Sequence, residues 1–562
     1  MPSLSVYVSG AGSRWSDPMR TMNLYGYALR ELTVRRVLQD KAQKNGDKTF
    51  LTFLPDGRRY SYRTLDTYSN QIGNALLERG VTRGTHVAVI MDNCPEQILL
   101  YMALAKIGAV AVPVNTAAKG SLLTYFLTQS DSTVVVLEGV YAERVAEIAQ
   151  TVPRITRTFV LGESGPSVSA AASVHWETQD WQVLMQGAEA PIDIEVLPTD
   201  LAMLAYTSGT TGPSKGNMVL QATVCQFGMS TAESHGYRFD DIAYVCLPVN
   251  HTNAFLNATW GALIADAAVA LARRFSVSGF WSDIRGSGAT LANILGSMVN
   301  MIWAQPPRDN DTDNRLRLVS CIPTPPFALE FERRFGTRLV AAYGLTDYCN
   351  ATVYTLLDPV GKIGSSGRVR AGIEIAIVDE LDWPAPAGTV GEIVIRSHNL
   401  WGTSQGYYKM PEATLQTLRN LWFHTGDLGY LDTDGFLFFT GRKKDSIRRR
   451  GENVSAQEVE TILATHPDIV DAAVFAVKSD MAEEEIVAAL IVRAGSNLDF
   501  PEFIQFAAKQ MAYYMVPRYV QVLQDFPRTQ SQKVEKFKLR DAAERDLGAL
   551  WDREAAGIIV KR

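Results

Sequence analysis

Residues 206–216 read Tyr206-Thr-Ser-Gly-Thr-Thr-Gly-Pro-Ser-Lys-Gly216 and place three glycines, five Ser/Thr residues and one lysine in eleven positions. Glycine permits the positive φ values that turn successive backbone N–H groups toward one point, and the hydroxyls add further donors. Lys215 adds a mobile positive charge, so the stretch predicts a loop that binds polyphosphate. It is not a Walker A loop, because Pro213 and Ser214 separate Gly212 from the lysine. On composition alone, a flexible surface loop is an equally open alternative.

The loop lies within a long chain of alternating helical and β-rich segments. The chain has 562 residues, and a single core stops growing at about 250–300, so two or more domains are expected. Ile98, Tyr101, Met102 and Ala105 have the spacing of one helical face. Strands alternating with helices predict α/β layers with parallel sheet. The predicted strands of this part are 110–114, 133–137, 242–249, 267–271, 315–319 and 339–342.

The pattern changes twice toward the carboxyl end. Short strands at 373–378, 391–396 and 436–440 predict a β-rich subdomain over about 361–440. A helix at 455–465, two strands at 469–477 and 486–492 and a helix at 501–511 then predict a compact α+β unit. We therefore predict a large N-terminal α/β domain over 1–443 and a small C-terminal domain over 444–562. Residues 162–200 are predicted as a surface connection.

Charge and cysteine usage exclude several classes of protein. Lys and Arg number 54 and Asp and Glu 60, and the net charge of −6 gives no general attraction to nucleic acid or anionic membranes. The five cysteines show no CxxC spacing, which argues against a disulfide framework or a structural zinc site and favours a reducing compartment. We see neither a secretory signal nor a membrane span, and we expect a cytoplasmic protein.

Four further motifs follow the loop in order. They are Tyr343-Gly-Leu-Thr-Asp347, Trp422-Phe-His-Thr-Gly-Asp-Leu428, Gly441-Arg-Lys-Lys-Asp445 and Pro527-Arg-Thr-Gln-Ser-Gln-Lys533. Together with the loop they resemble the signature motifs of the adenylate-forming enzymes, which include acyl-CoA synthetases, firefly-type luciferases and the adenylation domains of peptide synthetases. Two positions depart from the family pattern: Asp347 replaces a glutamate and Gln532 replaces a glycine.

The resemblance implies ATP, Mg²⁺ and coenzyme A as ligands, and an acid:CoA ligase of the crotonobetaine/carnitine or the aromatic and alicyclic acid type. In such an enzyme a carboxylic acid attacks ATP, pyrophosphate leaves, and the thiol of coenzyme A displaces AMP from the acyl-adenylate. One alternative is an adenylating enzyme that passes the acyl group to a separate carrier protein or another acceptor. A non-enzymatic nucleotide-binding relative would be expected to have lost Lys533, Asp427 or Lys215, and all three are present.

The resemblance implies three catalytic residues. Lys533 would stand near the α-phosphate and the attacking carboxylate, where its charge lowers the repulsion between two anions. Thr346 would bind the α-phosphate, and Asp347 would be the ligand of Mg²⁺, with a side chain one methylene shorter than the family's glutamate. Without the resemblance, residues 533–538 would be interpreted as a solvated charged segment.

Nucleotide binding is implied for residues of the same motifs. Tyr343 offers a flat face to the adenine ring, Asp427 can accept the ribose hydroxyls, and Arg442 would contact ribose or phosphate. Without the resemblance, these three would be interpreted as a core aromatic, a turn cap and a surface arginine. The predicted ATP and AMP ligands are Thr207, Ser208, Gly209, Thr210, Thr211, Lys215, Tyr343, Gly344, Asp427 and Arg442.

The acyl pocket is predicted at His251, Asn253 and Ile322. Residues 249–253 hold no acid that could receive an ammonium group, which disfavours an α-amino acid substrate. Residues 320–326 depart from the segment that many relatives carry, so the resemblance does not name the acid.

The resemblance also implies that the C-terminal domain rotates between two half-reactions, with Lys444 as the hinge. Gly451 and Arg450 would then meet coenzyme A. Residues 441–450 carry a local charge of +5, which could attract its phosphates, although a solvated basic face is equally open. A homodimer is a possible assembly.

Overall fold

The computed structural model describes residues 22–162, 174–207, 214–443, 446–449, 452–478, 484–529 and 533–560. Its strands are β1 (Thr49–Phe53), β2 (Arg59–Ser61), β3 (His86–Ile90), β4 (Val110–Pro113), β5 (Val134–Glu138), β6 (Arg157–Leu161), β7 (Glu177–Asp180), β8 (Leu201–Thr207), β9 (Lys215–Leu220), β10 (Ile242–Val245), β11 (Ala268–Leu271), β12 (Leu291–Leu295), β13 (Leu318–Ile322), β14 (Leu339–Leu345), β15 (Cys349–Tyr354), β16 (Arg368–Val369), β17 (Ile373–Val378), β18 (Gly391–Ser397), β19 (Leu418–Arg419), β20 (Trp422–Leu431), β21 (Leu437–Arg442), β22 (Ser446–Arg449), β23 (Glu452–Ser455), β24 (Ile469–Lys478), β25 (Glu484–Val492), β26 (Tyr519–Val522) and β27 (Trp551–Asp552).

The α-helices are α1 (Val34–Asn45), α2 (Tyr62–Glu78), α3 (Pro95–Lys106), α4 (Gly120–Gln129), α5 (Ala142–Ala146), α6 (Gln221–Ser234), α7 (Trp260–Ile264), α8 (Phe280–Ser287), α9 (Gly296–Trp303), α10 (Ala328–Phe335), α11 (Pro411–Thr417), α12 (Ala456–Leu463), α13 (Phe500–Gln510) and α14 (Lys536–Arg545). A π-helix, Asn253–Thr259, precedes α7 directly.

Two large sheets form the N-terminal part. One has the order β16-β15-β14-β13-β12-β10-β11-β1-β2, and the other has the order β7-β6-β5-β3-β4-β8-β9. The central strands of both are parallel, as the alternation of strands and helices predicts. β17 to β21 form a separate antiparallel sheet, and β24 to β27 form a four-stranded sheet in the C-terminal part. The predicted boundary at 443/444 stays a prediction, since residues 444 and 445 lie outside the described ranges.

Helix α3 shows where an amphipathic interpretation fails. The spacing of its apolar residues predicts one buried face, but every residue of α3 except Glu96 is buried. It packs against α1, α2 and β4, so its remaining faces are covered as well. Even Lys106 is buried, and its ammonium pairs with Asp66 at 2.6 Å and with the side chain of Asn70 at 2.8 Å.

Three other sequence predictions are shifted or wrong. β13 begins at Leu318 rather than 315, because its ladder with β12 starts at the Leu291–Leu318 pair. β10 ends at Val245, well before the predicted 249, since Pro248 lies in the bend that follows and cannot donate to a ladder. The segment 162–200 is more than a surface connection: β7 extends the second sheet, and Trp181 and Leu184 are buried in the core, while 163–173 lie outside the described residues.

The C-terminal part meets the N-terminal part beside α9. Arg493 Nη1 donates to the carbonyl oxygen of Ala304 at 3.4 Å, and the Ser455 hydroxyl donates to the carbonyl of Thr440. A cavity of about 300 Å³ lies between the two parts, with Trp303 and Phe327 on one wall and His466 on the other. Across the ranges that the structure describes, no helix combines the length and apolar character needed to cross a membrane.

Candidate active site

The glycine-rich loop closes a β-hairpin. β8 and β9 are antiparallel neighbours, and the last pair of their ladder joins Thr207 to Lys215. The loop between them is 208–214, and its residues 208–213, among them the predicted ligands Ser208, Gly209, Thr210 and Thr211, lie outside the described residues. Lys215 is described, and its ammonium lies 4.9 Å from the centroid of the Tyr407 ring.

Asp347 lies in the tight connection between β14 and β15. Gly344 has to be glycine there, because a Cβ would stand 2.1 Å from the carbonyl oxygen of Cys349. Asp347 is only 6% exposed, and this burial raises its pKa, while a hydrogen bond from Tyr407 and the charge of Lys215 act in the opposite direction. Lys215 and Asp347, the predicted metal ligand, therefore both lie next to Tyr407.

Tyr343, Asp427 and Arg442 form a second group. The Tyr343 hydroxyl donates to Asp427 Oδ2 at 2.8 Å, and burial next to this carboxylate raises the pKa of the phenol. Asp427 and Arg442 are partners in the ladder of β20 and β21, with Arg442 Nε 3.5 Å from Asp427 Oδ1. The Tyr343 ring stacks loosely on Phe439, with 6.0 Å between the ring centroids.

Lys533 comes to the same place from the C-terminal part. The residue keeps accessible surface, yet the surrounding protein lowers its pKa, first by desolvation and then by the positive charge of Arg442, while Asp427 opposes the shift. The charge of Lys533 in turn acts on His251. The structure thus brings together four residues that are distant in the chain.

His251 is a neutral imidazole in this group. Burial and the neighbouring Lys533 lower its pKa to about 4, and its Nε2 atom is buried without a hydrogen-bond partner among the described residues. A proton on this ring would place a second positive charge beside the ammonium of Lys533.

The lowered pKa of His251 predicts a pH dependence of stability. Between pH 6.5 and 4 the unfolded chain holds a proton on this residue that the folded chain does not. The free energy of unfolding therefore decreases as the pH falls through this window. At pH 4.5 the loss is about 2–3 kcal/mol. Between pH 7 and 4.5 we expect the melting temperature of the wild type to fall further than that of His251→Gln. Scanning calorimetry measures both. An equal loss in both proteins would contradict the assignment.

Three of the remaining predicted site residues can be placed in the structure, and three lie outside the described ranges. The hydroxyl of Thr346 is 3.4 Å from that of Thr252, next to His251. Asn253 begins the π-helix, and Ile322 ends β13 with 39% of its surface exposed. The hinge Lys444 and the predicted coenzyme A ligands Arg450 and Gly451 lie outside the described residues.

Arg449 corrects the interpretation of the basic stretch 441–450 as a solvated face or a phosphate-binding surface. It is 1% exposed, and its guanidinium pairs with Glu485 at 2.7 Å and donates to the carbonyls of Tyr514 and Val516. It therefore holds the C-terminal core together and does not face solvent or a ligand.

Tyr407 is a site residue that the sequence analysis missed. It follows Gly406, whose φ of +96° makes the sharp turn that returns the chain to β9. The signal available in the sequence was Gly406-Tyr407-Tyr408 shortly before the Pro411 helix start, but only the fold places this aromatic against Asp347.

The donor set suits a metal that arrives with a nucleotide. Among the described residues, no three His, Cys, Asp or Glu side chains come together as ligands. Mg²⁺ usually binds through one or two carboxylates together with phosphate oxygens and water. A single buried carboxylate, Asp347, fits that requirement.

Comparison with known proteins supports this picture. The family described as AMP-binding enzyme matches residues 38–408, and the AMP-binding enzyme C-terminal domain matches residues 458–533. Crotonobetaine/carnitine–CoA ligases of Escherichia coli O8 and Salmonella typhimurium are each 31% identical to this chain, covering 90% of it and 98% of the relative.

Solved structures agree in fold. The anthranilate CoA ligase AuaEII, in complex with anthranoyl-AMP, has a TM-score of 0.84 at 23% identity and covers 94% of this chain and 100% of its own. ATP-bound MatB from Rhodopseudomonas palustris has a TM-score of 0.79 at 25% identity, with coverage of 91% and 99%. The o-succinylbenzoate CoA synthetase of Bacillus subtilis has a TM-score of 0.76 at 25% identity, with coverage of 90% and 98%.

The chain belongs to the AMP-binding enzyme family, and the predicted α/β fold with a small C-terminal domain is confirmed. It is an AMP-forming acid:CoA ligase, which activates a carboxylic acid as its adenylate with MgATP and transfers the acyl group to coenzyme A. Because the relatives are CoA ligases, the alternative of a carrier-protein acceptor is not favoured.

Proposed function

We propose that acyl-adenylate forms where Lys533, His251, Asp427 and Arg442 converge. One observation carries this assignment: Arg442 Nε lies 3.5 Å from Asp427 Oδ1, and both charges act on Lys533, whose own charge acts on His251. The carboxylate oxygen of the acid attacks the α-phosphorus of ATP, the bond to the pyrophosphate oxygen breaks, and acyl-AMP remains. Lys533 lowers the repulsion between the two anions and stabilises the charge that develops.

The other residues hold the nucleotide. Asp427 receives the ribose hydroxyls, and Tyr343 presents its ring to the adenine while its hydroxyl fixes the carboxylate of Asp427. Lys215 and the backbone of its loop bind the phosphates. Mg²⁺ bound at Asp347 would neutralise phosphate charge. His251 stays neutral and, with Asn253 and Ile322, borders the acyl group.

Tyr343→Phe tests the second part of this assignment. The variant loses the hydrogen bond to the Asp427 carboxylate, and a bond to a charged group contributes about 1.5–3 kcal/mol. We expect the KM for ATP to rise about tenfold or more with a smaller change in kcat. ATP–pyrophosphate exchange at saturating acid measures both. Tyr430→Phe, in β20 but outside this contact, is the control, and an unchanged KM in Tyr343→Phe would contradict the role.

The reaction is tested by mass spectrometry of products formed from MgATP, coenzyme A and a pool of carboxylic acids. We expect AMP and one or a few acyl-CoA thioesters. Accumulation of acyl-adenylate without any thioester, at saturating coenzyme A, would overturn the assignment of the acceptor and would also leave the coenzyme A roles of Arg450 and Gly451 without support.

A homodimer and a cytoplasmic location are our further proposals. An apolar patch supports the first: Leu381, Trp383 and Leu421 are strongly exposed and lie together, because Arg419 and Asn420 both bind Asp382 at 2.7 Å. Analytical ultracentrifugation of the wild type and Leu421→Lys tests it, since a charge on this patch should give monomers. The cytoplasmic location is supported by five thiols, all buried in reduced form.

A further inference from the structure

Arg370 is a guanidinium enclosed by protein. It is 3% exposed and lies in the turn between β16 and β17. Its backbone N–H donates to the carbonyl of Ala351 at 3.0 Å, and its Nε donates to the carbonyl of Asn350. The side chain therefore runs along the beginning of β15, just past the Asp347 turn.

This arginine lacks a counter-ion. Among the described residues, no carboxylate lies within 4.0 Å of its guanidinium, and its one side-chain hydrogen bond is the contact from Nε to Asn350. Glu233, near the end of α6, acts on it electrostatically from beyond ion-pair distance. Burial lowers the pKa of Arg370. Because an unpaired buried charge is strongly destabilising, proteins normally supply a partner, and a ligand can be that partner.

The surroundings of Arg370 are polar. The Cys349 thiol lies 3.3 Å from the Ser230 hydroxyl, and His235 Nε2 lies 3.0 Å from the Ser320 hydroxyl. Arg370 is close enough to His235 for its charge to lower the pKa of that ring. Asn293 Oδ1, beside Ser320 in the β12–β13 ladder, is buried without a hydrogen bond among the described residues. A purely apolar acyl chain would leave the Arg370 guanidinium without a counter-ion and Asn293 Oδ1 without a hydrogen-bond partner.

This polar cluster continues the predicted acyl pocket inward. Ser320 precedes Ile322 by two residues, so both face the same side of β13. Asn257 follows Asn253 along the π-helix and approaches the Cys349 thiol at 4.0 Å. β13 and the π-helix, which carry the predicted pocket residues Ile322 and Asn253, thus also contribute polar residues to this cluster.

We propose that the acid activated by this ligase is a dicarboxylic acid, whose second carboxylate binds Arg370. The inference rests on the proposed position of the acyl pocket. One carboxylate is adenylated near Lys533, and the other forms the ion pair that Arg370 lacks in the described chain, since a guanidinium binds a carboxylate through two parallel hydrogen bonds.

The test compares matched straight-chain acids of four to eight carbons, each as the monocarboxylic acid, the dicarboxylic acid and its monomethyl ester. With the wild type we expect one dicarboxylic acid to exceed its monomethyl ester in kcat/KM by about 10²-fold. Because the ester has nearly the same length but no second charge, this comparison needs no variant and is independent of how Arg370 variants fold.

Arg370→Met is expected to lose about 10²-fold in kcat/KM on the preferred dicarboxylic acid while changing less than about threefold on the monocarboxylic acid. Arg370→Lys should keep part of the preference, and Glu233→Gln is the neighbouring control. If Arg370→Met lowers both activities equally, or if the wild type prefers the ester at every length, Arg370 is a structural residue and the inference is wrong. If no acid in a broad pool yields AMP and a thioester, the proposed function itself fails.

Discussion

Lys533→Ala is expected to slow acyl-adenylate formation by about 10²–10³-fold, the size of effect seen when one preorganised electrostatic group is removed from a reaction centre. The reason is the position of its ammonium among His251, Arg442 and Asp427, where two anionic substrates have to approach each other. ATP–pyrophosphate exchange reports this half-reaction directly.

The effect of Lys533→Ala on thioester formation, the second half-reaction, should differ from its effect on adenylation. If the C-terminal domain rotates before thioester formation, Lys533 leaves the centre, so Lys533→Ala should convert added acyl-AMP and coenzyme A at close to the wild-type rate. Lys538→Ala is the matched control, because Lys538 lies five residues further on, in the first turn of α14, and pairs with Glu535. An equal loss in both half-reactions would show that Lys533 supports the structure of the C-terminal domain rather than adenylation.

Arg449→Met is expected to destabilise the C-terminal part by about 3 kcal/mol, because Glu485 loses its ion pair at 2.7 Å and retains Arg518 at 4.0 Å. Two backbone carbonyls lose their donor as well. Hydrogen exchange resolved on β24 and β25 is the measurement, since a long chain of several domains need not unfold in one step.

The double variant Arg449→Met, Glu485→Gln separates charge from packing. Removing the charge of Glu485, which Arg518 would otherwise balance from 4.0 Å, should restore part of the protection, because a neutral amide is easier to bury than a carboxylate. Arg545→Met, at the end of α14, is the control and should leave exchange in β24 and β25 unchanged. Protection in Arg449→Met equal to that of the wild type would contradict the role of the pair.

Most of the site was accessible from the sequence because its residues are carried by short, ordered motifs. Tyr343, Asp427, Arg442 and Lys533 lie in four separate stretches, each with its own short motif. The fold adds what a motif does not contain, namely that Tyr343 holds the carboxylate of Asp427.

Residues without a motif could not be found in this way. Arg449 and Arg370 are arginines in polar stretches, and nothing local distinguishes a buried guanidinium from an exposed one. Their burial depends on contacts with other strands, β25 for Arg449 and β15 for Arg370. The same holds for α3, whose solvent-side positions are covered by helices and a strand from elsewhere in the sequence.

The cavity between the two parts of the chain bears on the timing of catalysis. The cavity lies between the N-terminal and C-terminal parts, beside the contact of Arg493 with Ala304. Separating the two parts there exposes less new apolar area than opening a fully packed interface would. If the C-terminal domain rotates between the two half-reactions, its two orientations should therefore differ by a small free energy, and the bound ligand can decide which orientation is populated. The order in which the substrates bind would then set the order in which the domain adopts its two orientations.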